Sequence, residues 1–434
     1  IYAAWPNFAW PGQAAVNASE VHLHRGAWRG KYALSGAEVP TISAFLSGED
    51  EWSPKPLAAN ANIAFQGSIV LGLGFTMSED DARTLIGRDP KNAEALFPYL
   101  NGEDLNSHPE QKPSRWVINF WDWPIDRTAK GTWAEADEDA QAQWLRDGHV
   151  PKDYPGRVAK DFPELFRIVE ANVKPERQRV DNTGRYVLRK PLPDRWWQYA
   201  EKRPGLYHAI GRGHAFARHP ERWSVATAAL PEVVVQSRVS KFVAPCSRPN
   251  AEIWADRIVV FALRDVSLLG VLASSIHDVW VRKNASTFET RLTYTPSDAF
   301  ETQPLPSFTG SSLHEPVNAY DAARSKVMRS FGIGLTDLYN RLHDPGCHDP
   351  AIVELRDLQR RLDVAVRDVY GWQDLDLGHG FHEVPYLPEN DRVRFTVSEP
   401  ARLEILRRLA RLNRERWQAE QDEAAAATLA VAEP

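Results

Sequence analysis

The segment FPYLNGEDLNSHPEQKPSRWVINFWDWP, residues 97–124, carries the clearest structural pattern in the chain. Its Asn101 and Gly102 form a dipeptide typical of turns with positive φ, which predicts a tight turn at this point. Residues 116–121 are rich in β-formers and predict a buried strand. Three polar residues interrupt this apolar part of the segment: Arg115, Asn119 and Asp122. Because buried polar groups are usually hydrogen-bonded, we interpret the segment as a structural corner with an internal salt bridge.

Size and composition are typical of a multidomain globular protein. The chain has 434 residues, 43% of them hydrophobic and 25% charged, which predicts two or three domains with a substantial core. No apolar run is long enough to span a bilayer, and no basic-then-apolar leader is present, so no membrane association is expected. The two cysteines, Cys246 and Cys347, are too few for a disulfide framework and favour a cytoplasmic location. The chain begins at Ile1 rather than Met, and we expect it to be part of a longer protein.

Charge is distributed unevenly along the chain. The formal net charge of −6 argues against nonspecific nucleic-acid binding by the whole chain. Residues 167–245, however, contain 15 Lys and Arg against 7 Asp and Glu, a local net charge of +8. The acidic stretch 125–160 predicts an exposed insertion. The local excess of positive charge makes the basic region the candidate for contact with an anionic partner.

Two β-rich runs lie at the end of the basic region, at residues 233–235 and 239–243. Polar residues accompany the valines, which predicts a sheet or a two-stranded ribbon with one polar face. Such a ribbon fits the DNA major groove, where Arg and Gln side chains read guanine and adenine edges. A salt-bridged surface sheet explains the same residue types equally well.

The remaining patterns predict a fold of the α+β class. Ser78 is expected to cap a helix that ends near Gly87, and Gly72 and Gly74 are expected to allow close backbone approach. Further helices are predicted at residues 268–280, 319–331, 337–343 and 350–370, and from Ser398 to about Trp417. The prediction is a mixed α/β domain with an antiparallel sheet, followed by a C-terminal helical domain.

The chain contains no motif to which catalysis can be assigned. It has no GxSxG elbow, P-loop, HExxH or EF-hand loop. It also lacks the glycine-rich turn for S-adenosylmethionine and the Asn/Asp-Pro-Pro-Tyr/Phe loop that DNA amino-methyltransferases need. The His379 and His382 pair matches no standard zinc spacing. We therefore nominate no catalytic, cofactor-binding or metal-binding residue.

A set of motifs is distributed over nearly the whole chain. They are WPGQAAV at 10–16, AFQGS at 64–68, PYLNGEDLN at 98–106, PSRWVINFWDWP at 113–124, VKPER at 173–177, WWQY at 196–199, SSIHDVW at 274–280, YTPSDAFET at 294–302 and IGLTDLYN at 333–340. Together they resemble the C-terminal portion of MmeI-type (type IIL) restriction-modification enzymes. Related phage-defence DNA methyltransferases, including those of DISARM systems, share this resemblance.

The resemblance implies three regions: the last strands of a truncated methyltransferase domain at 1–60, a DNA target-recognition domain at 61–310 and a C-terminal helical domain at 311–434. In the family these regions clamp double-stranded DNA, read its bases and present one adenine for N6 methylation. The S-adenosylmethionine site and the catalytic motifs would belong to an upstream methyltransferase domain before Ile1, so the expected cofactor lies outside this chain. The acidic stretch 125–160 departs from the family because it is longer than usual.

Candidate DNA contacts follow from the basic region and the β-rich runs. Groove or phosphate contacts are expected from Arg177, Arg179, Arg212, Arg218, Gln236, Arg238 and Lys241. A noncatalytic module for single-stranded nucleic acid is an alternative, with the adjacent Arg and Trp residues as stacking platforms, as at Arg195 and Arg222. A Trp-rich carbohydrate-binding protein is a third interpretation, and it would require exposed, coplanar tryptophans.

Overall fold

The computed structural model describes residues 1–9, 17–43, 46, 48, 53–218, 228–262, 265–288, 291–308, 312–384, 387 and 391–432. The WPGQAAV motif and the Arg222-Trp223 pair lie outside these residues. The helices are α1 (Glu79–Arg88), α2 (Gly102–Ser107), α3 (Glu138–Asp147), α4 (Pro163–Asn172), α5 (Lys174–Arg177), α6 (Pro204–Ala209), α7 (Ser267–Ala273), α8 (Ser275–Asn284), α9 (His314–Phe331), α10 (Leu335–Leu342), α11 (Pro350–Val369) and α12 (Glu399–Ala432).

Short strands alternate with these helices. They are β1 (Ala3–Ala9), β2 (Asn17–His22), β3 (Tyr32–Leu34), β4 (Ala37–Val39), β5 (Ala64–Gln66), β6 (Thr76–Met77), β7 (Leu96–Leu100), β8 (Arg115–Ile118), β9 (Glu232–Ser237), β10 (Val239–Ser240), β11 (Cys246–Pro249), β12 (Ile253–Trp254), β13 (Ile258–Phe261), β14 (Ser286–Phe288), β15 (Arg291–Thr293), β16 (Gly380–Glu383) and β17 (Val393–Thr396). Their sheet orders are β2-β1-β3-β4, β12-β7-β8-β6, β11-β9-β13-β5, β10-β15-β14 and β16-β17. Most pairs are antiparallel, and β1 with β3 and β12 with β7 are parallel. The predicted α+β class is confirmed.

Strand β9 is an inner strand of its sheet, paired on one side with β11 and on the other with β13. The valines at 233–235 are buried, and so is the whole of β13. Helices and neighbouring strands therefore cover both faces. The expectation of a two-stranded ribbon with a polar face is wrong here, because Gln236 and Ser237 of β9 are buried as well and only Glu232, at the start of the strand, is exposed.

The segment 97–124 links two strands through a helix instead of a tight turn. Asn101 has extended φ and ψ, and its side-chain oxygen accepts hydrogen bonds from the backbone N–H groups of Glu103 and Asp104. Asn101 is thus the N-cap of α2, and the turn with positive φ predicted at Asn101 and Gly102 is absent. Helix α2 then leads back through a loop to β8, which pairs antiparallel with β7.

The polar residues of this segment have the partners that burial requires. Asn119 is buried, and its side-chain oxygen accepts from the backbone N–H of Trp121 at 2.8 Å. Asp122 is also buried and accepts from the backbone N–H groups of Ala217 and Arg218. Arg115 is exposed. The hydrogen-bond partners expected for buried Asn119 and Asp122 are present. The salt bridge of Asp122, however, is formed with Arg218, which lies outside the segment.

The acidic insertion forms a small cluster of its own. Leu145 of α3, Val150, Tyr154 and Val158 pack together apart from the main core. At the base of the insertion, burial alone would raise the pKa of Asp126. Hydrogen bonds from Lys160, Thr128 and His149 outweigh this effect and lower the pKa to about 2. The insertion is therefore a folded element and not only a solvated helix.

The helices predicted after residue 267 follow the predicted periodicity with two differences. The apolar stripe of α11 is buried at Ile352, Leu355, Leu362 and Val366. The helix predicted at 268–280 is instead two helices, α7 and α8, because Ser274 is extended and caps α8. Helix α12 also continues to Ala432, beyond the predicted end near Trp417.

One apolar core extends from Ala64 to Leu409 and includes residues from both predicted domains, 61–310 and 311–434. Asn413 of α12 adds polar contacts between distant parts of the chain. Its amide nitrogen donates to the backbone oxygens of Lys55 at 2.8 Å and Thr302 at 2.7 Å. The C-terminal helices therefore pack on the sheets as part of the same core. Among the described residues, no helix combines the length and apolar character needed to cross a bilayer.

Candidate nucleic-acid interface

Arg177, a predicted surface contact, is buried. Its guanidinium donates to the backbone oxygens of Val70 at 2.8 Å, Leu71 at 2.7 Å and Gln198 at 3.2 Å. Its side chain is 1% exposed, and burial lowers its pKa to about 10. The role of direct DNA contact does not fit this placement, because the donors are used to hold loop backbone.

A projecting hairpin follows Arg177. We call residues 179–190 the basic hairpin. Val180 pairs with Tyr186, and the turn is closed by Asp181, whose carboxylate accepts from the N–H groups of Thr183 and Arg185. Residues 179–187 are exposed. The turn sequence Asp-Asn-Thr-Gly between β-formers is the signal from which this hairpin could have been predicted.

The basic hairpin carries four cations: Arg179, Arg185, Arg189 and Lys190. All four are exposed, and Asp181 is the one acidic residue among residues 179–190. The Lys190 ammonium nitrogen lies 3.6 Å from a carboxylate oxygen of Asp194. In the described part of the chain, the other three side chains form no ion pair or hydrogen bond. Solvated, unpaired arginines on a projecting element are well suited to phosphate contact.

Arg212, another predicted contact, occupies an aromatic cage. Its guanidinium lies 5.3–5.9 Å from the ring centroids of Phe97, Trp121, Tyr207 and Trp254. It also donates to the backbone oxygen of Glu252 at 2.6 Å, and burial lowers its pKa. Because Arg212 is only 9% exposed and its guanidinium is used in these contacts, the predicted role of direct DNA contact does not fit its placement. Arg212 instead joins the segment 97–124 to α6 and β12. The residue type alone could not reveal this role.

Asp122 lies among cations that are partly exposed. Arg218 has its Nε 3.4 Å from the Asp122 carboxylate, and its side chain is 45% exposed. Burial lowers the pKa of Lys202 to about 8, opposed by Asp122 and reinforced by the charges of Arg218 and Arg195. Lys202 and Arg218 line a cleft of about 630 Å³. Arg218 thus remains placed for an anionic ligand.

The three candidates near β9 have different surroundings. Gln236 is buried, and its side chain accepts from Ala244 N–H and donates to the Ser237 oxygen, so its predicted base contact does not fit. Arg238 is half-buried between β9 and β10. Its backbone is paired, but its side chain has no hydrogen bond or ion pair within the described ranges. Arg238 therefore stays available to contact a ligand.

Lys241 is partly exposed but already paired. Its ammonium lies 2.8 Å from the carboxylate of Asp391 and donates to the side-chain oxygen of Asn340 at 2.8 Å. These contacts tie the sheet to α10 and to the segment before β17. A phosphate would have to compete with Asp391 for this cation. Contact with DNA remains a prediction for Arg179, Arg218, Arg238 and Lys241.

Groups suited to metal binding are absent from the described residues, where no three His, Cys, Asp or Glu side chains are arranged to hold an ion. His379 instead pairs with buried Asp363 at 2.9 Å, and His382 bonds to the Gly378 oxygen at 2.8 Å. The chemistry that the exposed arginines of the basic hairpin offer is the binding of anions.

No family model matches the sequence, and no curated protein matches it significantly. Among solved structures, the chain is similar to the type IIL restriction-modification enzyme MmeI in complex with DNA, with a TM-score of 0.53 and 14% sequence identity. The match covers 96% of this chain and 46% of that chain, so the chain spans about half the length of MmeI. At this level of identity the conclusion concerns architecture: the chain has the fold of part of a type IIL restriction-modification enzyme.

Proposed function

We propose that the chain recognises a specific sequence in double-stranded DNA, as part of an S-adenosylmethionine-dependent DNA adenine-N6 methyltransferase. The parent protein would belong to a restriction-modification or phage-defence system and act in the cytoplasm. The observation that carries the proposal is the likeness to MmeI, which was solved in complex with DNA, over 96% of the chain. In this proposal, methyl transfer and S-adenosylmethionine binding belong to an upstream domain of the parent protein.

Charge supports an anionic partner for this surface. The unpaired arginines of the basic hairpin can neutralise phosphates without first breaking ion pairs. Arg218 is exposed, Arg238 and Lys241 are half-buried, and all three remain candidates for contact with DNA. Phosphate contacts would set position and orientation, and base contacts would set specificity.

The tryptophans favour duplex DNA over the alternatives. Of the thirteen that the structure describes, Trp5 alone is exposed, and Trp196 and Trp197 are buried in the core. The stacking platforms that single-stranded binding needs, and the coplanar surface that carbohydrate binding needs, are therefore not formed by these side chains.

Selection from a randomised duplex pool, at several salt concentrations, tests the proposal. Enrichment of one short motif, with affinity that falls steeply as salt rises, is the expected result. Competition with single-stranded DNA of the same sequence provides the comparison. Stronger binding to the single strand would contradict the proposal, and so would the absence of an enriched motif when the upstream domain is also present.

A further inference from the structure

Two leucines project from the loop formed by residues 69–75, which we call the leucine loop. Leu71 is 45% exposed and Leu73 is 75% exposed, while Phe75 at the end of the loop is buried. Val180, Tyr186 and Val187 of the basic hairpin are also exposed. Twelve large apolar side chains are exposed in the described part of the chain, and the two leucines together with these three residues account for five of them. Exposed apolar groups are thus concentrated in the leucine loop and the basic hairpin.

The leucine loop is held in one conformation. Leu71 has φ of +50° and Gly72 has φ of +132°, and a non-glycine residue in this region is disfavoured by about 1–2 kcal/mol. Arg177 fixes the loop from below through the backbone oxygens of Val70 and Leu71. Gly74 lies so close to α4 that an added Cβ would be 2.7 Å from the backbone of Asn172. A loop constrained in this way presents its leucines rigidly to solvent.

Arg177 also connects the leucine loop to the basic hairpin. It lies two residues before the hairpin begins, and its guanidinium reaches both the leucine loop and the backbone of Gln198. Both elements therefore rise from the same base. An apolar tip on a loop that is anchored two residues before a hairpin with unpaired arginines matches the two chemical parts of a duplex, its base stack and its phosphate backbone.

We propose that Leu71 and Leu73 form a wedge that enters a base step of duplex DNA, while Arg179, Arg185 and Arg189 contact the phosphates beside it. Apolar side chains inserted in this way partly unstack the bases and bend the duplex. The inference rests on the proposed function, because it requires duplex binding. The wedge contributes to specificity through the ease with which particular steps unstack, without any hydrogen bond to a base.

The experiment compares the unmodified chain with L71A/L73A and with L403A. Leu403 is 44% exposed on α12 and matches Leu71 in exposure. Duplexes from the selection carry 2-aminopurine, which brightens when unstacked, and a pair of dyes at the two ends that reports bending. The unmodified chain and L403A are expected to brighten 2-aminopurine at one step and to shorten the end-to-end distance.

L71A/L73A is expected to lose the brightening and the bend while the salt dependence of binding stays unchanged, because no cation is removed. Thermal unfolding of the variant should match that of the unmodified chain, since both side chains are exposed. L73F is expected to retain the brightening, because an aromatic ring can also act as a wedge.

Three outcomes overturn the wedge. If the unmodified chain binds the duplex without unstacking or bending it, the wedge proposal is wrong and the proposed duplex recognition is unaffected. If L71A/L73A unstacks the bases as fully as the unmodified chain, the wedge proposal is also wrong and duplex recognition is again unaffected. Absence of duplex binding by the unmodified chain overturns both proposals. In that third case, binding of an acidic protein through this surface would identify the apolar tip as a protein contact.

Discussion

The Arg177 guanidinium donates to the Leu71 backbone oxygen through two of its nitrogens, at 2.7 Å and 3.3 Å. One fully buried cation thus fixes the conformation of an exposed leucine that lies 106 positions earlier in the chain. The residue that the sequence placed on the DNA surface instead supports two elements that reach the surface.

Replacement of Arg177 is expected to destabilise the fold. R177Q removes donors to three buried or partly buried carbonyl groups, and leaving such groups unpaired should lower the free energy of unfolding by about 3 kcal/mol. Urea unfolding measures this change. R179Q, two residues away and exposed, is the matched control and is expected to shift stability by less than about 0.5 kcal/mol. Equal effects of the two variants would contradict the supporting role of Arg177.

Removal of charge from the basic hairpin is expected to weaken binding to every duplex alike. R179A/R185A/R189A should make the slope of log K against log salt shallower by about 2–3, since each phosphate contact contributes about 0.9. Titrations at several salt concentrations measure the slope. R360A/R361A on α11 removes exposed arginines elsewhere and should leave the slope unchanged. An unchanged slope in the hairpin variant would exclude these arginines from the phosphate contacts.

Arg238 is expected to affect sequence preference, and Lys241 is expected to affect affinity. If Arg238 contacts a guanine, R238A should cost about 1–3 kcal/mol and relax preference at one position. K241A should weaken all sequences to a similar extent if its ammonium leaves Asp391 for a phosphate. Binding to a panel of single-base variants of the selected motif separates the two effects. A uniform loss for R238A across the panel would eliminate base reading by this residue.

Acid is expected to destabilise the chain through His277. This histidine of α8 is buried, bonded to Gln303 and to the Tyr294 hydroxyl, and burial lowers its pKa to about 4. The unfolded chain takes up a proton near pH 6.5, whereas the folded chain does not. Its contribution is therefore fully present above about pH 6.5 and decreases by about 3 kcal/mol in total as pH falls to about 4.

Urea unfolding at about pH 7 and about pH 4.5 tests this dependence. H277Q should be less stable than the unmodified chain at neutral pH and should lose less on acidification. H348Q, at an exposed histidine of the loop before α11, is the control and should keep the original pH dependence. An undiminished loss in H277Q would assign acid sensitivity to other groups.

Helices were predictable where capping and periodicity agree. Ser78 and the acidic residues after it define the start of α1, and the apolar stripe of α11 lies in the core as expected. Asn101 followed by Gly102 was misleading because the same asparagine satisfies either a turn or an N-cap. The choice between them depends on whether the following residues can continue as a helix, which the dipeptide alone does not specify.

Side-chain burial within the basic region was not predictable. Arg177, Arg212 and Gln236 have residue types that read DNA, but each is bonded to the protein's own backbone. The cage around Arg212 combines rings from positions 97, 121, 207 and 254, which come together only through tertiary packing. Local sequence carries no record of such convergence. The basic hairpin, by contrast, is a local structure whose turn sequence was visible.

Asn413 bears on how the recognition part of this chain could be exchanged between enzymes. Its amide group holds backbone at Lys55, before β5, and at Thr302, after β15. A transplant cut at residues 61 and 310 would separate the Thr302 carbonyl from its donor on Asn413 and would uncover the apolar faces that α9, α11 and α12 protect. The smallest unit that can be moved intact therefore runs from about Lys55 through Asn413, and a change of specificity is better made by substitution within it.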